Sequence, residues 1–112
     1  MKKIKLVTSL MLFLASSNLV AGSSTGKVTF LAVNDFSQVQ VITETRSDDL
    51  PECVRDANIG RLVADLKTEH GRAMYSILLA AQAQGLGVTI GGKNSCNVRP
   101  GVETIQYIII EP

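Results

Sequence analysis

Aromatic side chains are scarce in this sequence: they make up 4% of the 112 residues, and tryptophan is missing altogether. Positive charge is scarce as well. Without the three lysines at positions 2, 3 and 5 the formal charge falls from +1 to −2. Proteins that bind single-stranded nucleic acid combine stacked aromatic side chains with a positively charged groove. We therefore predict no nucleic-acid partner. The aromatic residues beyond the N-terminal segment are Phe30, which we expect in the core, Phe36, Tyr75 and Tyr107.

Long apolar runs are missing too. The apolar stretch over residues 6–14 is too short to span a membrane. It follows the three lysines and precedes small residues, which is typical of a secretory signal peptide. We therefore expect a secreted or periplasmic protein with no membrane span after cleavage.

Cleavage is expected after Gly22, which assigns residues 1–22 to the signal peptide and residues 23–112 to a single domain. Small residues also precede cuts after Ala21 and after Ser17, so these two positions stay open. A chain of about 90 residues has a modest core and gains much from a covalent cross-link.

Histidine occurs once, at position 70, in the first turn of a predicted helix. A Ser-His-Asp type of site needs a nucleophile, a base, an orienting carboxylate and an oxyanion hole. His70 with the nearby Ser76 or Thr68 supplies two of these at most. One histidine also falls short of a zinc site unless cysteines join it. We predict that the protein is not an enzyme and has no metal site.

Two other patterns are weak candidates for ligand binding. The stretch "GVTIGGKN" over residues 87–94 is one residue away from a phosphate-binding P-loop, but Asn94 replaces the Ser or Thr that holds magnesium. Four acidic residues lie in the middle loop without the spacing of an EF-hand. They are Asp48, Asp49, Glu52 and Asp56. We interpret both stretches as ordinary turn or loop and predict no cofactor.

Cysteine occurs twice, at positions 53 and 96. An even number of cysteines in a small exported domain favours a disulfide. Two free thiols or links between chains are the alternatives. A Cys53–Cys96 bridge would contribute roughly 4 kcal/mol by the chain-entropy relation. We expect this bridge to hold the chain together at its middle loop.

Apolar periodicity predicts five short strands and one helix. Residues 23–26 are expected to be a flexible leader, and residues 44–58 a loop with one short helical turn. In the third strand Leu62 is expected to point inward and Val63 outward. The predicted strands cover residues 27–33, 37–43, 61–68, 86–90 and 102–110.

The predicted helix runs from Glu69 to Gln84, with Thr68 as its N-cap and Gly85 as its C-terminal stop. Its apolar side chains recur at helical spacing and belong either to the core or to an interface with another copy of the chain. This face consists of Ala73, Met74, Ile77, Leu78 and Ala81.

Five strands with a helix between the third and the fourth is the order of an oligonucleotide/oligosaccharide-binding (OB) barrel. We therefore predict a mostly β fold that closes into an OB-like barrel. The alternative is an open antiparallel sheet with one helix packed on it.

The segments "AMYSILLAAQAQGLGVTI", "SCNV" and "VETIQYI" make the chain resemble the B subunits of AB-type bacterial toxins, of the cholera-like and subtilase types. The pattern also resembles small uncharacterised exported proteins of gamma-proteobacteria. The toxin resemblance implies a ring of five subunits that binds host glycans, and it assigns no binding residue here. We expect a non-enzymatic exported domain that binds a glycan or a protein as a homo-oligomer. The alternative is a monomeric periplasmic structural or inhibitor-type protein.

Overall fold

Five strands and one α-helix follow one another in the computed structural model, which describes residues 22–112. The predicted signal segment therefore lies outside the described residues, except for Gly22. The elements are β1 (Ser23–Val33), β2 (Gln38–Arg46), a 3-10 helix (Asp56–Asn58), β3 (Leu62–Asp65), α1 (Glu69–Gln84), β4 (Gly87–Gly92) and β5 (Glu103–Glu111).

The strands close into a barrel in the order β1-β2-β3-β5-β4, with β4 hydrogen-bonded back to β1. The β3–β5 pair is parallel, and the other four pairs are antiparallel. The helix lies between β3 and β4, so the predicted OB-like barrel is confirmed. The alternative of an open antiparallel sheet is wrong.

The predicted flexible leader at residues 23–26 is wrong, because these residues form the first part of β1. Ser23 pairs with Gly91 and Gly26 with Val88, which closes the barrel against β4. The Ser24 hydroxyl is buried and forms a hydrogen bond with the Thr43 hydroxyl of β2. Backbone pairing with β4 and the hydrogen bond of the Ser24 hydroxyl therefore stabilise this part of β1. It lacks the apolar side chains by which a strand is normally predicted.

Phe30 is also placed differently from the prediction. The β1–β2 register shifts between Val28 and Phe30, as at a β-bulge. A bulge reverses which side chains face inward, and here Val28 and Leu31 pack against the core. Phe30 lies outside the core cluster, and the Arg61 guanidinium lies 4.7 Å from its ring centroid.

The helix has the predicted bounds and caps. The Thr68 hydroxyl accepts a hydrogen bond from the Gly71 amide, and Gly85 has the left-handed conformation, with φ 68°. Of the predicted apolar face, Met74, Leu78 and Ala81 are buried in the barrel core, Ile77 is half-buried and Ala73 is exposed. No helix among residues 22–112 has the length and apolar character that a membrane crossing requires.

The core cluster draws on four strands, β2 to β5, and on the helix, and it fills the barrel interior; β1 contributes only the half-buried Val28 and Leu31, which pack against it. Its members are Val39, Val41, Leu62, Ala64, Met74, Leu78, Ala81, Val88, Ile90 and Ile105. Val63 is fully buried as well, although it points outward as predicted, since it pairs with Gln40 on the outer face. The loop between β4 and β5 lies over this outer face and accounts for the burial of Val63.

We predict that Ala81→Glu strongly destabilises the protein. The side chain at position 81 is fully buried, so a carboxylate there costs about 3–5 kcal/mol as an uncompensated buried charge. Ala73→Glu is the matched control, because residue 73 is exposed on the same helix. Thermal unfolding followed by circular dichroism measures both. Equal melting temperatures for the two variants would contradict the burial of Ala81.

Candidate functional site

A groove lies on the outer face of β2, beside the segment that leads into β3. The β1–β2 loop (residues 34–37) borders it on one side, and the β4–β5 loop (residues 93–102) borders it on the other. Its volume is about 790 Å³. OB barrels bind extended ligands at this face and between these two loops. The groove is lined by Phe36, Gln40, Ala57, Asn58, Arg61, Arg99 and Pro100.

The β1–β2 loop presents Phe36 to the groove. The Asn34 side-chain oxygen accepts hydrogen bonds from the amides of Phe36 (2.9 Å) and Gln38 (3.2 Å). Ser37 follows in the left-handed region, with φ 60°, as in a three-residue hairpin loop that ends in a bulge. The loop is therefore held by its own hydrogen bonds while the Phe36 ring stays 64% exposed.

The floor of the groove is polar. Arg61 Nη1 donates to the Gln40 side-chain oxygen at 3.1 Å, and the Arg61 guanidinium also stacks on the Phe30 ring. These two contacts fix the direction of a planar cation.

The β4–β5 loop packs over β2 through Gln38. The Gln38 side chain donates to the Val98 carbonyl at 2.9 Å, and its oxygen accepts from Arg99 Nη1 at 3.4 Å. The Thr104 side-chain oxygen also accepts from the Val98 amide. These contacts place the loop over the outer face of β3, which explains the burial of Val63.

The middle loop forms the third border of the groove through Asn58. The Asn58 side chain donates to the Gly101 carbonyl at 3.2 Å, and the Arg55 amide donates to the same oxygen at 3.0 Å. Gly101 has φ 85°, and a Cβ there would lie 2.9 Å from Arg55 Cγ. Glycine is therefore required where these two loops meet.

The two arginines of the groove carry uncompensated positive charge. No acidic residue lines the groove, and Arg61 and Arg99 have no carboxylate within 4.0 Å among residues 22–112. The salt bridge in this range joins Arg46 to Glu103, away from the groove lining. The groove is thus a locally positive site in a domain of net charge −2.

The predicted disulfide is confirmed. Cys53 and Cys96 are bonded, with their Cα atoms 6.0 Å apart. The bond joins the middle loop to the β4–β5 loop, and both loops border the groove. The disulfide therefore supports the site as well as the barrel.

Of the other sequence candidates, Thr68 and His70 line one small pocket of about 270 Å³, and Ser76 is not part of its lining. The His70 ring, on the exposed first turn of the helix, contacts the Gln106 carbonyl at 3.0 Å through Nε2. The Ser76 hydroxyl donates to the Arg72 carbonyl one turn earlier. Within residues 22–112 no three His, Cys, Asp or Glu side chains lie close enough to hold a metal ion. Residues 87–92 are strand β4, and no helix follows them.

Sequence reasoning missed the groove residues because they come from four separate segments. The signal that points to them is the element order, since an OB barrel has a known binding face whose two loops here carry Phe36 and Arg99. No protein-family model matches the chain, and no curated protein matches it.

We predict that the double variant Cys53→Ser, Cys96→Ser unfolds at a lower temperature than the wild type. Removing a cross-link between residues 43 positions apart lowers the free energy of unfolding by roughly 4 kcal/mol. Calorimetry of the oxidised wild type, the reduced wild type and the variant measures this. The reduced wild type serves as the control and should melt like the variant. A reduced protein that melts like the oxidised one would contradict the role of the bond.

Proposed function

We propose that the protein is an exported, non-enzymatic domain that binds a glycan in the groove described above. The observation that carries the proposal is the position of the groove on the outer face of β2 at the entry to β3, between the β1–β2 and β4–β5 loops. OB barrels bind oligosaccharides and oligonucleotides at this position. The disulfide and the signal-peptide pattern at residues 1–22 support export to an oxidising compartment.

The groove side chains favour a glycan over a nucleic acid. Gln40, Asn58 and the two arginines offer planar donors that suit hydroxyl and carboxylate oxygens. Phe36 offers one exposed ring face to the apolar side of a sugar. A strand of nucleic acid needs a series of stacking rings and an extended positive groove, and neither is present in residues 22–112. Arg61 and Arg99 together favour a glycan that carries acidic groups.

Removal of single groove side chains should weaken glycan binding. We expect Arg61→Ala, Arg99→Ala and Phe36→Ala each to reduce the affinity for the glycan about tenfold or more, because each variant loses a charged hydrogen bond or a stacked ring. The controls are Arg72→Ala and Leu79→Ala, which remove an exposed arginine and an exposed apolar side chain from the helix. A glycan array finds the ligand, and titration calorimetry compares the variants.

Two results would contradict this proposal. One is an array with no acidic or neutral glycan bound. The other is a bound glycan whose affinity changes equally in the groove variants and in the helix controls. Binding of single-stranded oligonucleotides with a similar loss in the groove variants would keep the site and replace the ligand class.

We also propose that copies of the chain associate through the outer face of β5. Tyr107 and Ile109 point outward next to Gly91 and Thr89 of β4, and they are 45% and 50% exposed. Gly91 has no side chain, and the Tyr107 ring occupies the space of its missing Cβ. This leaves a flat face with apolar side chains, and exposed apolar area of this kind often marks a subunit interface.

A charge on this face should dissociate the assembly. We expect Ile109→Lys to yield monomers, because a lysine at the centre of an apolar contact loses its hydration. Leu79→Lys on the helix is the matched control, with similar exposure, and should leave the mass unchanged. Multi-angle light scattering measures the masses. A wild-type monomer would favour the alternative, a monomeric periplasmic structural or inhibitor-type protein.

A further inference from the structure

The first described residue, Gly22, is buried, and its amide donates a hydrogen bond to a buried carboxylate. The Gly22 amide donates to Glu103 Oε2 at 3.1 Å, and Glu103 is 0% exposed. The Gly22 carbonyl accepts from the Gly92 amide at 2.8 Å. The amide and the carbonyl of Gly22 are therefore both hydrogen-bonded, just before β1 begins.

The surroundings of Gly22 leave no room for a side chain. A Cβ there would lie 2.6 Å from the Asp49 carbonyl oxygen, 2.6 Å from Glu103 Oε1 and 2.9 Å from Arg46 Nη2. These are polar atoms at distances that no Cβ tolerates. Position 22 is thus a tight polar pocket that accepts glycine and presents two kinds of oxygen acceptor.

Glu103 gathers donors from three directions. Arg46 Nη2 donates to Oε1 at 2.5 Å, and the Asn94 and Gly22 nitrogens donate to Oε2 at 3.1 Å each. A buried carboxylate is stabilised most by charged donors. An α-ammonium group at Gly22 would supply a second cation with two more hydrogens.

We propose that export ends with cleavage between Ala21 and Gly22, and that the freed α-ammonium of Gly22 is held by Glu103 as a buried N-terminal ion pair. The reaction is a hydrolysis by a signal peptidase. The Ala21–Gly22 peptide bond breaks, the hydroxyl of water joins the Ala21 carbonyl carbon, and the remaining proton of water joins the Gly22 nitrogen. The new Ala21 carboxylic acid then releases a proton, which the Gly22 amine takes up, so the products are a carboxylate and the α-ammonium. The inference rests on the proposed export and is independent of the glycan ligand.

The alternative cuts fit the pocket less well. Cleavage after Gly22, the position favoured by residue type, removes the nitrogen and the carbonyl that Glu103 and Gly92 bind. Cleavage after Ser17 leaves Gly22 with an uncharged peptide nitrogen. Cleavage after Ala21 keeps both hydrogen bonds of Gly22 and gives its nitrogen a positive charge. The residue before this cut, Ala21, is small, as a signal peptidase requires.

The full-length chain, expressed in a Gram-negative host and purified from the exported fraction, gives the first test. Intact mass and N-terminal sequencing should show a chain that begins at Gly22. A chain that begins at Ser23 or Asn18 would overturn this inference and leave export standing. An uncut chain that stays in the cytoplasm would overturn export as well.

A second test addresses the ion pair itself. The chain that begins at Gly22 is compared with one that keeps Ala21, each with Glu103 and with Glu103→Gln. We expect Ala21 to lower the melting temperature by roughly 4–8 °C with Glu103, a modest loss for a domain of this size, and by much less with Glu103→Gln. Glu111→Gln is the control, since Glu111 is exposed.

An equal effect of Ala21 in both backgrounds, or no effect with Glu103, would overturn the ion pair. If Glu103→Gln does not fold, the effect of Ala21 is measured with Glu103 and with Glu111→Gln. Unchanged melting there would overturn the pair as well.

Discussion

The buried ion pair between Arg46 and Glu103 is the interaction on which the other features of this structure depend. Arg46 ends β2 and Glu103 begins β5, so the pair joins two strands that are not neighbours in the barrel. Arg46 Nε also donates to the Ile59 carbonyl of the middle loop. Glu103 accepts from backbone amides before β1 and after β4. Burying two charged groups away from water costs free energy, and removal of either group leaves the charge of the other uncompensated. The surrounding backbone is therefore constrained to keep both in place.

Gly92 shows how closely the backbone follows this constraint. A Cβ at position 92 would collide with the Glu103 carboxylate, so β4 passes the charge at a distance that glycine alone permits. The Gly92 amide then donates to Gly22, and the Lys93 amide donates to the Thr104 carbonyl. The end of β4 is thus aligned with the start of β1 and with β5. From this end the β4–β5 loop leaves toward the groove, where the disulfide joins it to the middle loop. The ion pair and the disulfide together fix three chain segments that line one site.

Those parts of the fold that depend on local residue patterns could be predicted. The helix follows from Thr68, Gly85 and the apolar spacing between them, and the disulfide follows from a pair of cysteines in a small chain that begins with a signal-peptide pattern. Phe30 could not be placed, because one bulge in β1 reverses the alternation of its side chains. Glu103 could not be recognised as a buried charge, since a glutamate at the start of a predicted strand is normally expected to be exposed. The groove depends on contacts such as Gln38 with Val98, sixty positions apart, which no local pattern reveals.

The two surfaces proposed to bind a glycan and a second copy of the chain are compatible in one molecule. The groove lies on the outer face of β2 beside the entry to β3, whereas the exposed apolar side chains belong to the outer face of β5 next to β4. In the strand order β3 and β5 are neighbours, so the two faces adjoin without sharing a lining residue. Association through β5 would leave each groove open and would place several grooves in a fixed arrangement. A single open groove with one aromatic ring and two arginines supports only modest affinity for a glycan. Several grooves on one assembly raise the effective affinity through multivalency, without any new contact at each site. The proposed glycan site and the proposed interface on β5 are therefore consistent with each other, since each makes the other more effective.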